Sequence, residues 1–322
     1  MKKSLEGKAA VITGSSQGMG RAVALSMAAE GAKVIVNNRK PNSDGPDAEK
    51  VAQEIRQAGG IAIPVYGDAA EEEVCKKLVD TCVKEFGSID ILVNNAGIPS
   101  GDDLAMFDEA YAIKLFRTCL CGSVYTCREA IPHMQKNGYG RIINTSSITA
   151  LQWSWRYTTT YTSVKSAVYG FTRLLARSYG HDGITANVVL PDVNTRLTDV
   201  VQQPVMEQAM TGWYLYGTMS EKNLKHCLNL PNPEVCAAFY SYLASPAAAN
   251  INGKTFKVSD DIELVAEPEL IRFFTRSKND PVWTVEDFEN RFESFMEGIA
   301  PCPPFQQKEG IAAAPLNGNT YE

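Results

Sequence analysis

Short apolar runs alternate with helix-prone stretches along most of the chain. The runs predict strands over 9–13, 33–37, 60–66, 90–93, 141–144, 184–190 and 252–258. The amphipathic or Ala-rich stretches between them predict helices over 21–30, 47–58, 71–86, 107–135, 163–179 and 233–243. The helix over 107–135 is expected either as one long helix or as a broken pair.

A repeated order of strand and helix predicts an α/β fold with a parallel, doubly wound sheet. About seven strands are expected, with helices on both faces of the sheet. Residues 1–262 are predicted to form this domain, and 263–300 to form a C-terminal helical extension packed on it. The Pro-, Gly- and Ala-rich residues 301–322 are predicted to be a loose tail.

Composition and charge narrow the class of protein. The chain has 322 residues, of which 44% are hydrophobic and 21% charged, as in soluble globular proteins. A net charge of −6 argues against a nucleic-acid-binding surface. No apolar run approaches the ~18 residues of a membrane span. The first residues lack the apolar segment of a secretory signal, so a cytoplasmic location is expected.

The cysteines and histidines give no sign of a metal site. The 8 cysteines show no Cys-x-x-Cys spacing, and the chain has only 3 histidines. No zinc or other metal site is therefore expected, and the thiols are interpreted as reduced cytoplasmic cysteines.

A glycine-rich turn follows the first predicted strand directly and leads into an Ala-rich helix. Such a strand–turn–helix is the setting of a phosphate-binding loop, because the helix N-terminus offers free N–H groups and a positive dipole. The alternative is an ordinary tight turn, since the spacing is Gly-x-x-x-Gly-x-Gly. The residues predicted to bind a dinucleotide here are Gly14, Ser16, Gln17, Gly18, Met19 and Gly20.

The end of the second predicted strand bears on the choice of cofactor. Dinucleotide-binding units usually place an Asp or Glu there, for the adenosine ribose. This chain has Asn38 followed by Arg39. A carboxylate would repel a 2′-phosphate, whereas an Arg binds one with two hydrogen bonds. NADP(H) is therefore favoured and NAD(H) remains possible, with the alternative that Arg39 is an ordinary loop charge.

Tyr161 and Lys165 form a Tyr-x-x-x-Lys pair in the predicted helix near 163–179. Residues four apart lie on one helical face, so the phenol and the ammonium should be neighbours. A nearby cation favours the phenolate, which makes the phenol a candidate acid/base for an alcohol or carbonyl. In isolation, a Tyr and a Lys four residues apart more often lie on an ordinary, half-exposed helix surface without a catalytic role.

Three motifs together resemble those of the classical short-chain dehydrogenase/reductase family. They are the 13–20 turn, the Asn94-Asn95-Ala96-Gly97 segment and Tyr161-x-x-x-Lys165, and the likeness covers about residues 5–260. The resemblance implies a Rossmann fold and an NAD(P)-dependent enzyme acting on CH–OH groups. It also implies that Asn94 braces the sheet, and that the cofactor contacts Asp68, Ala69, Asn95, Ala96, Gly97, Tyr161, Lys165, Pro191, Val193 and Thr195.

The same resemblance assigns Ser147 as the catalytic serine, with Ser146 as the alternative. The step from Ser147 to Tyr161 is fourteen residues, one more than is usual in the family. Family members also carry an Asn that relays protons to the lysine, and its position falls here on Cys119. We interpret Cys119 as a small buried residue.

Aromatic residues suggest a bulky apolar substrate. Trp153, Trp155, Tyr157, Trp213 and Tyr214 either line a substrate pocket or simply pack on the protein. The C-terminal part is similar to the (3R)-hydroxyacyl-CoA dehydrogenase unit of multifunctional β-oxidation enzymes. The substrate is therefore expected to be hydroxysteroid-like or a 3-hydroxyacyl thioester.

The alternative is a regulatory protein of the same fold that binds a cofactor without catalysis. Relatives are commonly tetramers or dimers, so a homo-oligomer is expected.

Overall fold

The computed structural model describes residues 3–42, 44–99, 107–151, 159–195 and 229–265. Trp153, Trp155, Tyr157, Trp213 and Tyr214 lie outside the described residues, as do the chain beyond 265 and therefore almost all of the expected extension and tail.

The described segments contain eight strands and seven α-helices in an alternating order. The strands are β1 (Ala9–Ile12), β2 (Lys33–Asn38), β3 (Ile61–Tyr66), β4 (Ile91–Asn94), β5 (Gly140–Thr145), β6 (Ile184–Pro191), β7 (Thr255–Val258) and β8 (Ile262–Leu264). The helices are α1 (Gly18–Ala29), α2 (Ala48–Gln57), α3 (Glu72–Phe86), α4 (Glu109–Phe116), α5 (Gly122–Asn137), α6 (Thr159–Tyr179) and α7 (Glu234–Ala244).

The strands form one sheet in the order β3-β2-β1-β4-β5-β6-β7-β8. Neighbouring strands are parallel from β3 to β7, which confirms the predicted doubly wound α/β architecture. β1 pairs with β2 on one side and with β4 on the other, so the strand order reverses direction between β1 and β4. Ligands of such sheets bind at this reversal, beyond the carboxyl ends of the strands.

The eighth strand was not expected from the sequence. β8 pairs antiparallel with β7, and Val258 lies opposite Ile262. Ile262 and Leu264 are more than half exposed, so pairing depends on backbone hydrogen bonds with β7 and not on burial. Hydrophobic patterning therefore gives no signal for β8. The domain boundary predicted at 262/263 falls inside this strand.

Helices cover both faces of the sheet and bury two apolar layers. One layer joins α1, α2 and α7 to the sheet, and the other joins α3, α5 and α6. Because both faces are covered, all four residues of β1 are fully buried. Continuous apolar runs are what strands buried on both faces require.

The predicted helix over 107–135 forms as two helices joined without a break. α4 passes into α5 through a π-helical turn over Arg117–Cys121. Such turns insert an extra residue into a helix and are frequent at functional sites. Here the turn directs Cys119 into the protein, where it is 3% exposed.

α6 begins at Thr159, four residues before its predicted start. The run Thr-Thr-Tyr-Thr-Ser is rich in β-branched residues, which have modest helix propensity. Burial of Thr160 against the protein offsets that preference. As a result, Tyr161 lies inside the helix and not before it.

No helix among the described residues is both long and apolar enough to cross a membrane. Within these same segments, no group of three or more His, Cys, Asp or Glu side chains could hold a metal ion.

Candidate active site

The glycine turn and the Asn94–Gly97 segment meet where the strand order reverses. Thr13 joins them, because its hydroxyl oxygen accepts hydrogen bonds from the backbone N–H groups of Asn95 and Ala96, each at 3.0 Å. The Asn95 amide in turn donates to the carbonyl oxygens of Thr13 (3.1 Å) and Gly14 (3.2 Å). Sequence reasoning missed Thr13 as a site residue, although its polar side chain ends an otherwise apolar run.

Close backbone packing explains two glycines of the turn. Gly14 has a φ of 61°, and a β-carbon added there would lie 3.0 Å from Ala96 Cα. A β-carbon added at Gly20 would overlap the Gly14 carbonyl oxygen and lie 2.6 Å from Asn95 Nδ2. Since only glycine fits both positions, the turn can keep its backbone at the surface of the crevice.

The N-terminus of α1 follows the glycine turn directly. Its N-cap residue, Gln17, forms no side-chain capping bond, and the first turn contains no acidic residue. The free N–H groups and the positive end of the helix dipole therefore suit an anionic group. The turn and the helix terminus fit the pyrophosphate of a dinucleotide. Ser16 and Met19 are buried beside Gly18, whose added β-carbon would contact the Thr195 side chain at 3.6 Å.

Asn37 connects the glycine turn to the ends of β2 and β3. Its side-chain oxygen accepts from the Gly14 N–H at 3.1 Å, and its amide donates to the carbonyl oxygens of Val65 (3.2 Å) and Gly67 (3.1 Å). This buried Asn was not singled out from the sequence. The signal available was a polar residue within the strand Val-Ile-Val-Asn-Asn.

Asn38 and Arg39 lie at the carboxyl end of β2. The Asn38 amide donates to the carbonyl oxygens of Lys40 (3.0 Å) and Pro46 (3.2 Å), so it closes the loop that follows. An Asp could not donate either bond. Arg39 is exposed, and within the described segments its guanidinium forms no ion pair. An exposed guanidinium at this strand end has the chemistry to bind a phosphate.

Asp68 and Ala69 follow β3 next to this loop. The Asp68 carboxylate accepts from the Ala70 N–H at 2.9 Å. Ala69 is buried, and its carbonyl oxygen lies so close to Gly122 that a β-carbon there would overlap it. The two residues lie at the carboxyl end of β3, next to Gly67, whose carbonyl oxygen accepts from Asn37, the partner of the glycine turn.

Tyr161 and Lys165 are neighbours on the first turns of α6, as their spacing predicts. The Lys165 ammonium lies 5.6 Å from the centre of the Tyr161 ring and donates to the Thr145 carbonyl oxygen at 3.0 Å. Lys165 is buried, and burial alone would lower its pKa, but attraction to Tyr161 and Cys119 outweighs burial and raises the pKa above its ordinary value. The ammonium therefore stays charged at neutral pH. Tyr161 is half-buried and packs against the apolar cluster of Leu115, Cys119 and Val164.

The structure distinguishes the two candidate serines. The Ser146 hydroxyl is buried and donates to the Lys165 carbonyl oxygen at 2.8 Å, so it holds α6 against β5. The Ser147 side chain is half-buried, and its oxygen accepts from the N–H and the hydroxyl of Thr149. Ser146 is committed to the scaffold, whereas no acceptor for the Ser147 hydrogen is found in the described part of the chain.

A buried chain of hydrogen bonds crosses the sheet beneath these residues. The Thr126 hydroxyl donates to Asn94 (2.7 Å), the Asn94 amide donates to Asn144 (2.9 Å), and the Asn144 amide donates to Thr172 (2.8 Å). These four side chains belong to α5, β4, β5 and α6. A satisfied buried network of this kind rigidifies the elements that carry it.

Gly97, Cys119 and Lys165 meet at the end of β4. A β-carbon added at Gly97 would lie 3.6 Å from Cys119 Sγ and 3.8 Å from Lys165 Nζ. A thiol is a weak hydrogen-bonding group. Cys119 also packs with Leu115 and Val164 in a small apolar cluster, as expected of a small buried residue.

The loop after β6 closes the crevice on the other side. Val193 is buried in the core, and the Asn194 N–H donates to the Pro231 carbonyl oxygen at 2.7 Å. Asp192 lies 3.6 Å from the Lys257 ammonium, which compensates its charge. This loop begins at Pro191 and brings Thr195 beside the glycine turn.

The chain matches known proteins both in sequence and in fold. The family model of the short chain dehydrogenases matches residues 8–206. The chain is 34% identical to versicolorin reductase stcU of Emericella nidulans over 261 residues, covering 79% of this chain and 95% of that protein. A crystal structure of a short chain dehydrogenase from Burkholderia cenocepacia J2315 in complex with NADP superposes with a TM-score of 0.68 and 27% identity, covering 80% of this chain and 98% of that one.

A second curated relative is much longer than this chain. The peroxisomal hydratase-dehydrogenase-epimerase of Neurospora crassa is 35% identical over 205 residues, which cover 62% of this chain. The match spans only 22% of that protein. From the family model, the two relatives and the shared fold, we conclude that the chain belongs to the short-chain dehydrogenase family of NAD(P)-dependent oxidoreductases.

Proposed function

We propose that this protein interconverts a secondary alcohol and a ketone with an NADP(H) cofactor. The observation that carries the proposal is the pairing of Tyr161 with the buried Lys165, whose ammonium lies 5.6 Å from the centre of the phenol ring. The turn that holds Ser147 is anchored to the same helix, because the Ser146 hydroxyl donates to the Lys165 carbonyl oxygen. When bound, the nicotinamide supplies or accepts the hydride. The protein then has to bind the substrate oxygen and move one proton.

Each of the three side chains has a separate role in this proposal. Tyr161 gives its phenolic proton to the forming alkoxide during reduction and takes it back during oxidation. The charged Lys165 stabilises the phenolate that remains. Ser147 donates its hydroxyl hydrogen to the same substrate oxygen as negative charge develops there. Because Lys165 also donates to Thr145 O, the ammonium stays beside the phenol without needing the substrate to hold it.

The substrate is proposed to be bulky and mostly apolar. One matched relative is named as a reductase of versicolorin, and another as a peroxisomal enzyme with a dehydrogenase activity. These names support an oxidoreductase, and the two expected substrate classes, a hydroxysteroid-like compound and a 3-hydroxyacyl thioester, stay predictions. That the aromatic residues near 153–157 and 213–214 line the substrate pocket remains a prediction.

Oxidation of reduced cofactor tests the proposal directly. The purified chain is mixed with NADPH or NADH and one of three probes, namely trans-1-decalone, 5α-androstane-3,17-dione and acetoacetyl-CoA, and the absorbance at 340 nm is followed. Turnover of at least one probe is expected, faster with NADPH. Tight NADPH binding without turnover of any probe would favour the regulatory alternative.

Arg39 gives a prediction about cofactor choice. Arg39→Ala is expected to lower the NADPH-over-NADH ratio of kcat/KM by about 10- to 100-fold, because a charge-assisted hydrogen bond contributes roughly 1.5–3 kcal/mol. The ratio is measured with the fastest probe. Arg173→Ala, which removes a half-buried cation beside Tyr169 on α6, is the control and should leave the ratio unchanged. An unchanged ratio in Arg39→Ala would contradict the assignment of NADP(H).

Cys119 gives a second prediction. Cys119→Ala is expected to keep kcat within about tenfold of the native value, since a key acid/base contributes about 10²–10⁴. The side chain packs in an apolar cluster, so its loss should act mainly on packing. Complete loss of turnover in a variant that melts like the native chain would show that the thiol takes part in proton transfer.

Self-association and location are further proposals. Ile113 and Phe116 on α4 share one helical face and are 53% and 45% exposed, and Leu174 on α6 is 61% exposed. These apolar side chains support a homo-oligomer, either a dimer or a tetramer.

The cytoplasmic location stays a prediction, because one relative is peroxisomal by name.

A further inference from the structure

We infer that Thr149 is a positioning residue that turns the Ser147 hydroxyl hydrogen toward the substrate oxygen. This inference rests on the proposed function of Ser147. Thr149 itself is only 8% exposed and contacts the Ser147 oxygen, so it acts on the substrate only through the serine.

The hydrogen bonds around Ser147 leave its hydroxyl able only to donate its hydrogen. The Ser147 oxygen accepts from the Thr149 hydroxyl at 3.1 Å and from the Thr149 N–H at 3.3 Å. A hydroxyl has two acceptor lone pairs and one hydrogen to donate. With both lone pairs engaged from one side, the hydrogen must point to the other side. Ser147 is therefore held as a donor.

The turn that carries Thr149 is anchored to α6 on both sides of Ser147. Before it, the Ser146 hydroxyl donates to the Lys165 carbonyl oxygen at 2.8 Å. After it, the Ser166 hydroxyl donates to the Ala150 carbonyl oxygen at 3.1 Å. Between these anchors the backbone forms a 3-10 turn over Ile148–Ala150. The position of Thr149 is thus fixed relative to the helix that carries Tyr161.

A fixed donor should matter for the rate. A free hydroxyl rotates among three staggered positions, of which about one in three would direct its hydrogen at the substrate. A hydroxyl that accepts hydrogen bonds is also a stronger donor, because hydrogen bonds in a chain polarise one another. Both effects grow in importance as charge develops on the substrate oxygen, so they should appear in the rate and not in KM.

The alternative is that Thr149 only stabilises the local turn. A structural role would slow the reaction whether or not Ser147 carries a hydroxyl. A positioning role has no effect once that hydroxyl is removed. A double-mutant cycle between the two positions separates these cases.

The experiment measures single-turnover oxidation of NADPH at 340 nm with the fastest of the three probes named above. The variants are Thr149→Val, Thr149→Ala, Thr149→Ser, Ser147→Ala and the Ser147→Ala/Thr149→Val double variant. Thr185→Val is the matched control, because Thr185 is a buried threonine on β6. Thermal melting checks that each variant is folded. If Thr149→Val does not fold, Thr149→Ala takes its place in the comparison.

Thr149→Val is expected to slow the single turnover by about three- to tenfold, less than the roughly 10²–10³ of removing an oxyanion donor outright. KM should stay the same, Thr149→Ser should restore the rate to within about twofold, and Thr185→Val should have no effect. In the Ser147→Ala background, Thr149→Val should cause no further loss.

Two results would overturn the inference alone. One is equal slowing by Thr149→Val in both backgrounds, and the other is no slowing when Ser147 is present. A native rate in Ser147→Ala, or no reduction of any probe, would instead overturn the proposed function and the inference with it.

Discussion

Replacing Tyr161 by Phe is expected to lower kcat for ketone reduction by about 10²–10⁴, the usual contribution of a positioned acid/base. The substitution removes one oxygen and keeps the ring, so the packing of Tyr161 with the Leu115, Cys119 and Val164 cluster should be preserved. NADPH should still bind within about threefold of the native Kd, because the phenol acts on the substrate oxygen. Cofactor fluorescence measures binding, and absorbance at 340 nm measures turnover.

Tyr169→Phe is the matched control for this variant. Tyr169 lies two turns further along α6, and its hydroxyl accepts a hydrogen bond from Arg173. Its loss should leave kcat unchanged. If Tyr161→Phe oxidises NADPH with the probe at the native rate, the phenol is not the acid/base and the proposed mechanism fails.

Replacing Lys165 by Met is expected to lower kcat by about 10²–10⁴ and also to weaken NADPH binding. The phenolate would lose its neighbouring cation. The Thr145 carbonyl oxygen would also lose its donor, at a cost of about 1–3 kcal/mol in the free energy of unfolding. Thermal melting must therefore accompany the kinetics.

The pKa of Lys165 adds a pH test to this variant. Burial lowers that pKa, but the attraction of Tyr161 and Cys119 outweighs burial, and the result lies above the ordinary value for lysine. The ammonium should thus remain charged from about pH 6 to pH 9. The loss of kcat in Lys165→Met should therefore be present at pH 9 as well as at pH 6. A loss that is confined to the acid end of the range would contradict a Lys165 that stays charged.

Lys77→Met is the control for removing a lysine that donates to a backbone carbonyl. Its ammonium lies on α3 and donates to the Tyr66 carbonyl oxygen at 3.4 Å. If Lys77→Met keeps native kinetics while Lys165→Met loses kcat, the loss of kcat results from the particular position of Lys165. Native kinetics in both would contradict the proposed role of the ammonium.

Local geometry explains why much of the fold could be predicted. Apolar runs such as 9–13 become buried strands because a doubly covered sheet has no polar face. Tyr161 and Lys165 are neighbours because a helix brings residues four apart together. The glycine turn is recognisable because glycine tolerates both a positive φ and close backbone contact. These features depend on short stretches of chain, which the sequence displays directly.

Contacts between distant segments explain what could not be predicted. β8 pairs through its backbone, and backbone groups carry no sequence signal. Asn37 and Thr13 act through partners between 23 and 83 residues away in the chain. The role of Cys119 next to Lys165 depends on a π-helical turn that the hydrophobic pattern does not reveal.

The two serines after β5 show this division most clearly. The sequence by itself determined that a hydroxyl follows the strand at the ligand edge of the sheet, because Ser146 and Ser147 end an apolar run. Neighbouring side chains at a strand end point in opposite directions, so the sequence leaves the choice between them open. Only the packing of α6 distinguishes the two, because the Lys165 carbonyl oxygen accepts from Ser146, whereas the Ser147 oxygen accepts from Thr149.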